Sequence, residues 1–388
     1  MKKTILAVAA ILATVNGLLF GETTSEVLAP YVESGELAGA IAILEKPGAR
    51  DVALAGWADP ESKLPISMDS TFMQCSQTKG FCGVTIAMLV EEGKLNLDDP
   101  VSKYLPEFTN ITVRTKMPDG TTEVKKPENV LTVRMCMNHT GGFDFESPTK
   151  NKVGWSHSPL AQSYKEAVAT PLLFEPGTSV KYSNLGIDIG ALVVEAITGK
   201  PWDEFLKERV LDPLEMHDTT FQPTEEQLAR RIRMYRAHEN APATPTGYNR
   251  VPEPWNGETI YPSAGAGLWT TAADQLKFYH MLMNLGLADN GKRLLKEETV
   301  KNLLATSTRL NSKDGYSLGL KAQGDGWFGH GGALGTNAMV NWQKKELMMW
   351  VVQSQGGPRP WEKSRDKVRA NFFKDNATND DSYVGRTK

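Results

Sequence analysis

Ser76 and Lys79 stand three apart in the stretch Thr71–Leu97, a hydroxyl and an amine that one turn of helix would bring together. The chemistry open to such a pair is nucleophilic attack, because an unactivated serine is a weak nucleophile and needs a base within hydrogen-bond reach. Behind the pair runs an apolar segment from Phe81 to Val90, long enough for a buried helix closed by Gly93. Positions i and i+3 share one face of that helix. Ser76 is expected in its first turn, where unpaired N–H groups and the helix dipole favour a developing oxyanion. An amine desolvated against the same helix gives up its proton more readily. On this stretch alone, Ser76 as a plain N-cap residue is an equal alternative.

Ser-x-x-Lys occurs three times: Ser76/Lys79, Ser147/Lys150 and Ser364/Lys367. Ser147 is followed by Pro148 in a polar loop, and Ser364 lies in the charged run EKSRDKVR, read as a solvated helix face. Only Ser76 heads an apolar helix. Tyr-x-Asn occurs once, as Tyr182-Ser183-Asn184, ahead of an apolar segment from Ile187 to Ile197. His-x-Gly occurs twice. His139-Thr140-Gly141 reads as a structural turn ending a short helix, whereas His330-Gly331-Gly332 lies between strand-like segments.

The elements that must position these groups follow from the chain in order. SEVLAPYVESGEL reads as a helix, and AGAIAILEKPGARDVALAGWAD as two strands about Pro47-Gly48. ITVRTKMPDGTTEVKKP reads as a hairpin about Asp119-Gly120. Helical segments then dominate as far as PWDEFLKERVL, and residues 236–257, rich in Pro, Gly and Asn, read as a loop. Ala272–Asn284 is a further helix, and the last part of the chain is strand-like, with MVNWQ and LMMWVV forming a buried hairpin. Strands at both ends with helices between them give an α+β fold. The expectation is a discontinuous sheet domain over 22–75 and 258–375, with a mostly helical domain over 76–257 inserted between its halves. A polar tail follows at 376–388.

Composition narrows the function. The 388 residues carry a net charge of −3 with both signs dispersed and no basic stripe, so no nucleic-acid partner is expected. Lys2 and Lys3 precede the apolar run Ile5–Leu12, and small residues follow at Gly17 and Gly21. Residues 1–21 read as a secretory signal peptide cut before Leu18 or Glu22, which makes the mature chain exported, periplasmic or extracellular, without a membrane span. The three cysteines, Cys75, Cys82 and Cys136, and the six scattered histidines have no metal-ligand spacing, so neither a metal nor a cofactor is expected.

The ordered set DSTFMQCSQTKG, EEGKLNLDDPVSKYLPEF, LTVRMCMNHTGGF, FEPGTSVKYSNLG, DPLEMHDTTF, SAGAGLWTTAADQLKF and GHGGALGT resembles the class C β-lactamase and penicillin-binding-protein-like serine hydrolases, a family that includes esterases and D-aminopeptidases. The likeness runs from about Glu26 to about Gln355. It implies a β-lactamase/transpeptidase-like antiparallel sheet flanked by helices. It also implies Ser76 as nucleophile, Lys79 and Tyr182 exchanging its proton, and Asn184 hydrogen-bonding near the substrate amide. His330 and Gly332 would line the substrate cleft, and the N–H groups of Ser76 and Ala333 would form an oxyanion hole. His330 stands where β-lactamases of this fold carry Lys, and Glu215 where the family's PLGM pattern has Gly. An uncharged His330 is expected to favour small esters, amides or peptides over substrates with a free carboxylate. The alternative is a member of the same fold that binds or senses a ligand without turnover.

Overall fold

Gly39–Lys46 reads GAIAILEK, apolar on every position until Glu45, as a strand buried on both faces requires. In the computed structural model it pairs antiparallel with Ala49–Asp59 on one side and Glu346–Val351 on the other, so the two ends of the chain meet in one sheet. Ile41 and Ile43 point into the main core with Leu347, Met349 and Val351. Ala40, Ala42 and Leu44 point the other way, packing with Val27, Leu28, Trp350, Trp361 and Val368. The structure describes residues 22–117, 119–145, 160–238, 241–246, 261–305, 308–309, 315–355, 359 and 361–374. The residues read as signal peptide, polar tail and the Ser147/Lys150 pair lie outside them.

In chain order the strands are β1 (Gly39–Lys46), β2 (Ala49–Asp59), β3 (Leu64–Pro65), β4 (Thr71–Met73), β5 (Val113–Lys116), β6 (Thr122–Lys125), β7 (Tyr235–His238), β8 (Ala241–Pro245), β9 (Trp269–Thr271), β10 (Thr308–Arg309), β11 (Gly315–Tyr316), β12 (Lys321–Ala322), β13 (Phe328–Gly331), β14 (Asn337–Asn341) and β15 (Glu346–Val351). The described helices are α1 (Thr24–Glu33), α2 (Thr78–Glu91), α3 (Val133–Met137), α4 (Leu160–Ala169), α5 (Asn184–Thr198), α6 (Trp202–Leu206), α7 (Glu225–Ala229), α8 (Ala272–Met283), α9 (Glu297–Leu303) and α10 (Trp361–Phe373). One antiparallel sheet has the strand order β10-β11-β12-β13-β14-β15-β1-β2-β3. Helices α1 and α10 cover one face, and α8 packs on β14 and β15 on the other. Among the described residues, no helix is long and apolar enough to cross a membrane.

Two sequence expectations need correction. Ser364 is not on a solvated face: it is fully buried on α10, donating to the Trp361 carbonyl at 2.9 Å, because α10 lays that side on the sheet. The stretch read as a loop over 236–257 begins with the hairpin β7–β8, and residues 247–257 lie outside the described set. Glu215 adopts a left-handed backbone, φ 57°, the conformation in which glycine carries no Cβ penalty.

The sheet is tied to α8 by a charged bridge. His280 Nε2 lies 2.8 Å from Glu45 on β1, and Nδ1 lies 2.6 Å from Asp289 beyond the end of α8; Arg50 stands 3.1 Å from Glu45. Burial disfavours the charged ring, but the hydrogen bonds and charges of the two carboxylates outweigh it and raise the pKa above the usual histidine value. A raised folded pKa gives stability that is complete below the unfolded value near 6.5 and is lost as pH rises through the folded one. His280→Gln should therefore cost about 1–2 kcal/mol at pH 5.5 and markedly less at pH 9. Urea midpoints at the two pH values test this, and an equal loss at both would show that charge is not the cause.

Candidate active site

Strand β4 runs into Gln74, and a 3-10 turn over Cys75–Gln77 opens α2. Ser76 thus sits in the turn just before α2, not in the helix's own first turn as the sequence indicated. Cys75 is forced to φ 52°, a left-handed geometry costing a non-glycine residue about 1–2 kcal/mol. Its neighbours hold it there. Thr78 Oγ1 donates to the Cys75 carbonyl at 2.7 Å, and Thr336 Oγ1 donates to the Gln74 carbonyl at 3.2 Å. Gln77 donates to the His330 carbonyl at 3.0 Å and accepts from Gln275 at 2.7 Å, so β13, α2 and α8 are joined across this turn. Gly332 packs against the same turn. A Cβ there would collide with Thr336 Oγ1 and lie 2.5 Å from the Gln74 carbonyl oxygen, so the close approach itself requires glycine.

Lys79 is fully buried, and its Nζ lies 2.5 Å from Asn184 Oδ1, 2.7 Å from the Gly265 carbonyl and 3.3 Å from Ser76 Oγ. The first two only accept. They take two N–H groups of the amine, so its remaining tetrahedral position faces Ser76 Oγ. That position holds an N–H when the amine is charged and a lone pair when it is neutral. Gly265 is needed because a Cβ there would lie 2.7 Å from the Asn184 Cβ and 2.9 Å from its Cα.

Tyr182 is set by the start of α5. Ser183 is the N-cap, its Oγ accepting from Gly186 N at 2.9 Å and donating to the Asp144 carbonyl at 2.6 Å. The Tyr182 ring lies with its centroid 4.5 Å from Lys79 Nζ and 4.6 Å from the His139 ring. Asn184, expected ahead of the helix, is its first residue.

His330 lies on β13 and is buried. Its Nδ1 is 2.5 Å from the Gly331 carbonyl, which can only accept, so Nδ1 carries the hydrogen and Nε2 accepts from the Tyr316 hydroxyl. Burial first, then the charge of Lys79, push its pKa down to about 3. The ring is uncharged, as the sequence reading required, but through burial and not through an unperturbed pKa. The Tyr316 ring lies edge-on to Tyr182 with centroids 6.2 Å apart, and burial first, then that neighbour, raise the Tyr316 pKa well above the usual tyrosine value. Ala333 lies beyond the strand. No backbone hydrogen bond among the described residues uses its N–H or that of Ser76.

Three participants were not singled out from the sequence. His139 was read only as a turn residue. It does hold φ 67°, but it also accepts from Ser183 N at 3.2 Å on Nδ1 and packs on Tyr182 and Tyr316. Burial and the Lys79 charge lower its pKa, leaving it neutral. Tyr316 carries no local signal, since its partners are tertiary. Gly265 had one, the small-residue run SAGAG.

A second serine pattern, Gly315-Tyr316-Ser317-Leu318-Gly319, has the spacing of a nucleophile elbow. Ser317 is buried, its Oγ donates to the Leu303 carbonyl and its N–H to Leu320 at 2.8 Å, so it presents no exposed hydroxyl. Cys75, Cys82 and Cys136 are buried and form no disulfide. No cluster of metal-ligating side chains occurs among the described residues.

The chain matches the family model described as Beta-lactamase over residues 24–370. It is 29% identical over 276 residues to Protein Rv1367c of Mycobacterium tuberculosis (strain ATCC 25618 / H37Rv), covering 69% of this chain and 68% of that protein. It is 28% identical over 323 residues to Esterase EstB of Burkholderia gladioli, covering 76% and 74%. Among solved structures it superposes on EstCE1, a hydrolase with promiscuous acyltransferase activity, with a TM-score of 0.70 at 22% identity over 89% of this chain and 97% of that one. At that identity the likeness concerns the fold.

Proposed function

This chain belongs to the Beta-lactamase family, and from that premise we propose that it is a serine hydrolase acting through an acyl-enzyme on Ser76, with esters and amides lacking a free carboxylate as its substrates. The observation that carries the reading is the Lys79 amine, whose two outer N–H groups go to Asn184 Oδ1 and the Gly265 carbonyl while its third position faces Ser76 Oγ at 3.3 Å. Neutral Lys79 takes the Ser76 proton as Oγ bonds to the acyl carbon. The carbonyl π electrons move to oxygen, where the Ser76 and Ala333 N–H groups receive the charge. Collapse re-forms the carbonyl, breaks the bond to the leaving group and returns a proton to that group. Water repeats the sequence against the acyl-enzyme and releases the acid. Tyr182, beside Lys79 and packed edge-on against Tyr316, is assigned to proton transfer with the amine, and to activating the deacylating water.

The substrate preference rests on His330, a neutral ring where relatives with a lysine would offer a cation. One exposed or partly wet charge pair contributes roughly 1 kcal/mol, or about fivefold in rate. Values of kcat/KM for p-nitrophenyl butyrate, a D-alanyl anilide and a chromogenic cephalosporin should therefore rank the cephalosporin last, by about fivefold or more. A wide preference for the cephalosporin would overturn the substrate class while leaving Ser76 as nucleophile.

A further inference from the structure

Asp188 lies on α5, four residues after Asn184, so both side chains leave the same face of the helix. It is almost completely buried, at 1% exposure. Its Oδ1 accepts from Gly265 N at 3.0 Å and Ser263 Oγ at 3.1 Å, and its Oδ2 accepts from Tyr261 OH at 2.8 Å. Three donors converging on one buried carboxyl are the environment of an ionised carboxylate. All three donors belong to the segment 261–265. That segment ends in the Gly265 carbonyl, which fixes one N–H of Lys79.

We propose that Asp188 is a positioning residue for the Ser76 chemistry: by clamping Gly265 it aims the third position of the Lys79 amine at Ser76 Oγ, and its buried charge sets how readily that amine gives up a proton. The proposal rests on the acyl-enzyme reading above. The clamp accounts directly for the Gly265 contact of Lys79, while Asn184 reaches the amine from the same α5 face that carries Asp188. Without it, Gly265 is free to shift, and the amine can rotate its lone pair away from Ser76.

Asp188 and Lys79 are joined through one residue: Gly265 donates its N–H to Asp188 at 3.0 Å and its carbonyl accepts from Lys79 at 2.7 Å, so the carboxylate lies close to the amine in the same buried region. Of the other titratable groups near the amine, Lys321 on β12 is a cation, and the following are neutral. His139 and His330 are held uncharged by burial, Cys82 and Tyr316 are held protonated by burial, and Tyr182 is a phenol. Asp188 is therefore the anion that favours the ammonium form. Its removal should let Lys79 become a base at lower pH.

The test is the second-order rate constant for labelling of Ser76 by a fluorophosphonate, followed from acid to alkaline pH in folded protein checked by thermal melting. Asp188→Asn should slow labelling about 10²-fold, the loss typical of a misplaced catalytic group, and should move the acid limb of the profile to lower pH. Ser263→Ala removes one donor but keeps the carboxylate, so it should slow labelling by a smaller factor and leave the limb in place. Wild-type rate and limb in Asp188→Asn would overturn the proposal, as would an equally displaced limb in Ser263→Ala. Should Asp188→Asn fail to fold, Tyr261→Phe keeps the charge and loosens the clamp. It must then slow labelling, and a wild-type rate in that variant overturns the clamp. A wild-type protein that does not label at Ser76 removes the acyl-enzyme reading itself and this proposal with it, an outcome separate from any behaviour of the variants.

Discussion

Ser76→Ala is expected to abolish covalent labelling by a fluorophosphonate and to lower kcat for ester hydrolysis by on the order of 10⁶-fold, the loss seen when a serine nucleophile is deleted from a unit that works as a whole. The expectation follows from position. Ser76 is the serine whose Oγ faces the Lys79 amine at 3.3 Å, in a turn where its own N–H and that of Ala333 have no backbone partner among the described residues. The competing serines have other tasks: Ser317 Oγ is hydrogen-bonded to the Leu303 carbonyl, and Ser364 Oγ to the Trp361 carbonyl. Ser317→Ala and Ser364→Ala should therefore keep labelling, with any loss explained by stability, since both side chains are buried. Peptide mapping of the labelled protein decides the matter, and a label that persists in Ser76→Ala refutes the assignment.

Lys79→Ala and Tyr182→Phe should each lower kcat by about 10²–10⁴-fold, the range for loss of a general base. The double variant should lose little more than the worse single one, because both groups serve one proton path. The geometry explains the coupling: Lys79 Nζ lies 4.5 Å from the Tyr182 ring centroid, and α5 fixes both Tyr182, through its N-cap, and Asn184, which binds the amine. Lys79→Ala also leaves Asn184 Oδ1 and the Gly265 carbonyl without the amine. A melting curve must accompany the kinetics, to separate lost chemistry from lost packing. Strictly additive losses would mean two independent roles, and near-normal turnover by Tyr182→Phe would remove the tyrosine from the mechanism.

The elements legible in the sequence are the locally determined ones. The apolar run that begins two residues after Lys79 is long enough for a buried helix, and α2 is one, with eleven of its residues from Thr78 to Leu89 lying among the buried set along with Lys79 itself. The alternation and turn signals at Pro47-Gly48 and Asp119-Gly120 produced β1–β2 and β5–β6. Ser183 as N-cap of α5 likewise fixes Tyr182 and Asn184 from neighbours in sequence. Errors arose where a neighbour from elsewhere decides the environment. Charges in EKSRDKVR look solvated until α10 lies on the sheet and buries Ser364 and Arg365.

The sequence by itself determined the pairing of Ser76 with Lys79, because three residues of helix-like backbone suffice to bring a hydroxyl and an amine to one side. It also pointed to the sheet built from both ends of the chain, because strand-like segments stand at both ends with helical ones between them. Only the tertiary structure decided the state and aim of that pair. Lys79 meets Asn184 from 105 residues away and Gly265 from 186 away, and those two acceptors orient the amine. His330 is neutral because the folded chain buries it on β13 beside Tyr316 and near Lys79, which the isolated triplet His-Gly-Gly cannot reveal. A hydrogen bond or a desolvation penalty depends on which atoms surround a group, and for the buried amine and imidazole here those atoms come from strands and helices far apart in the chain.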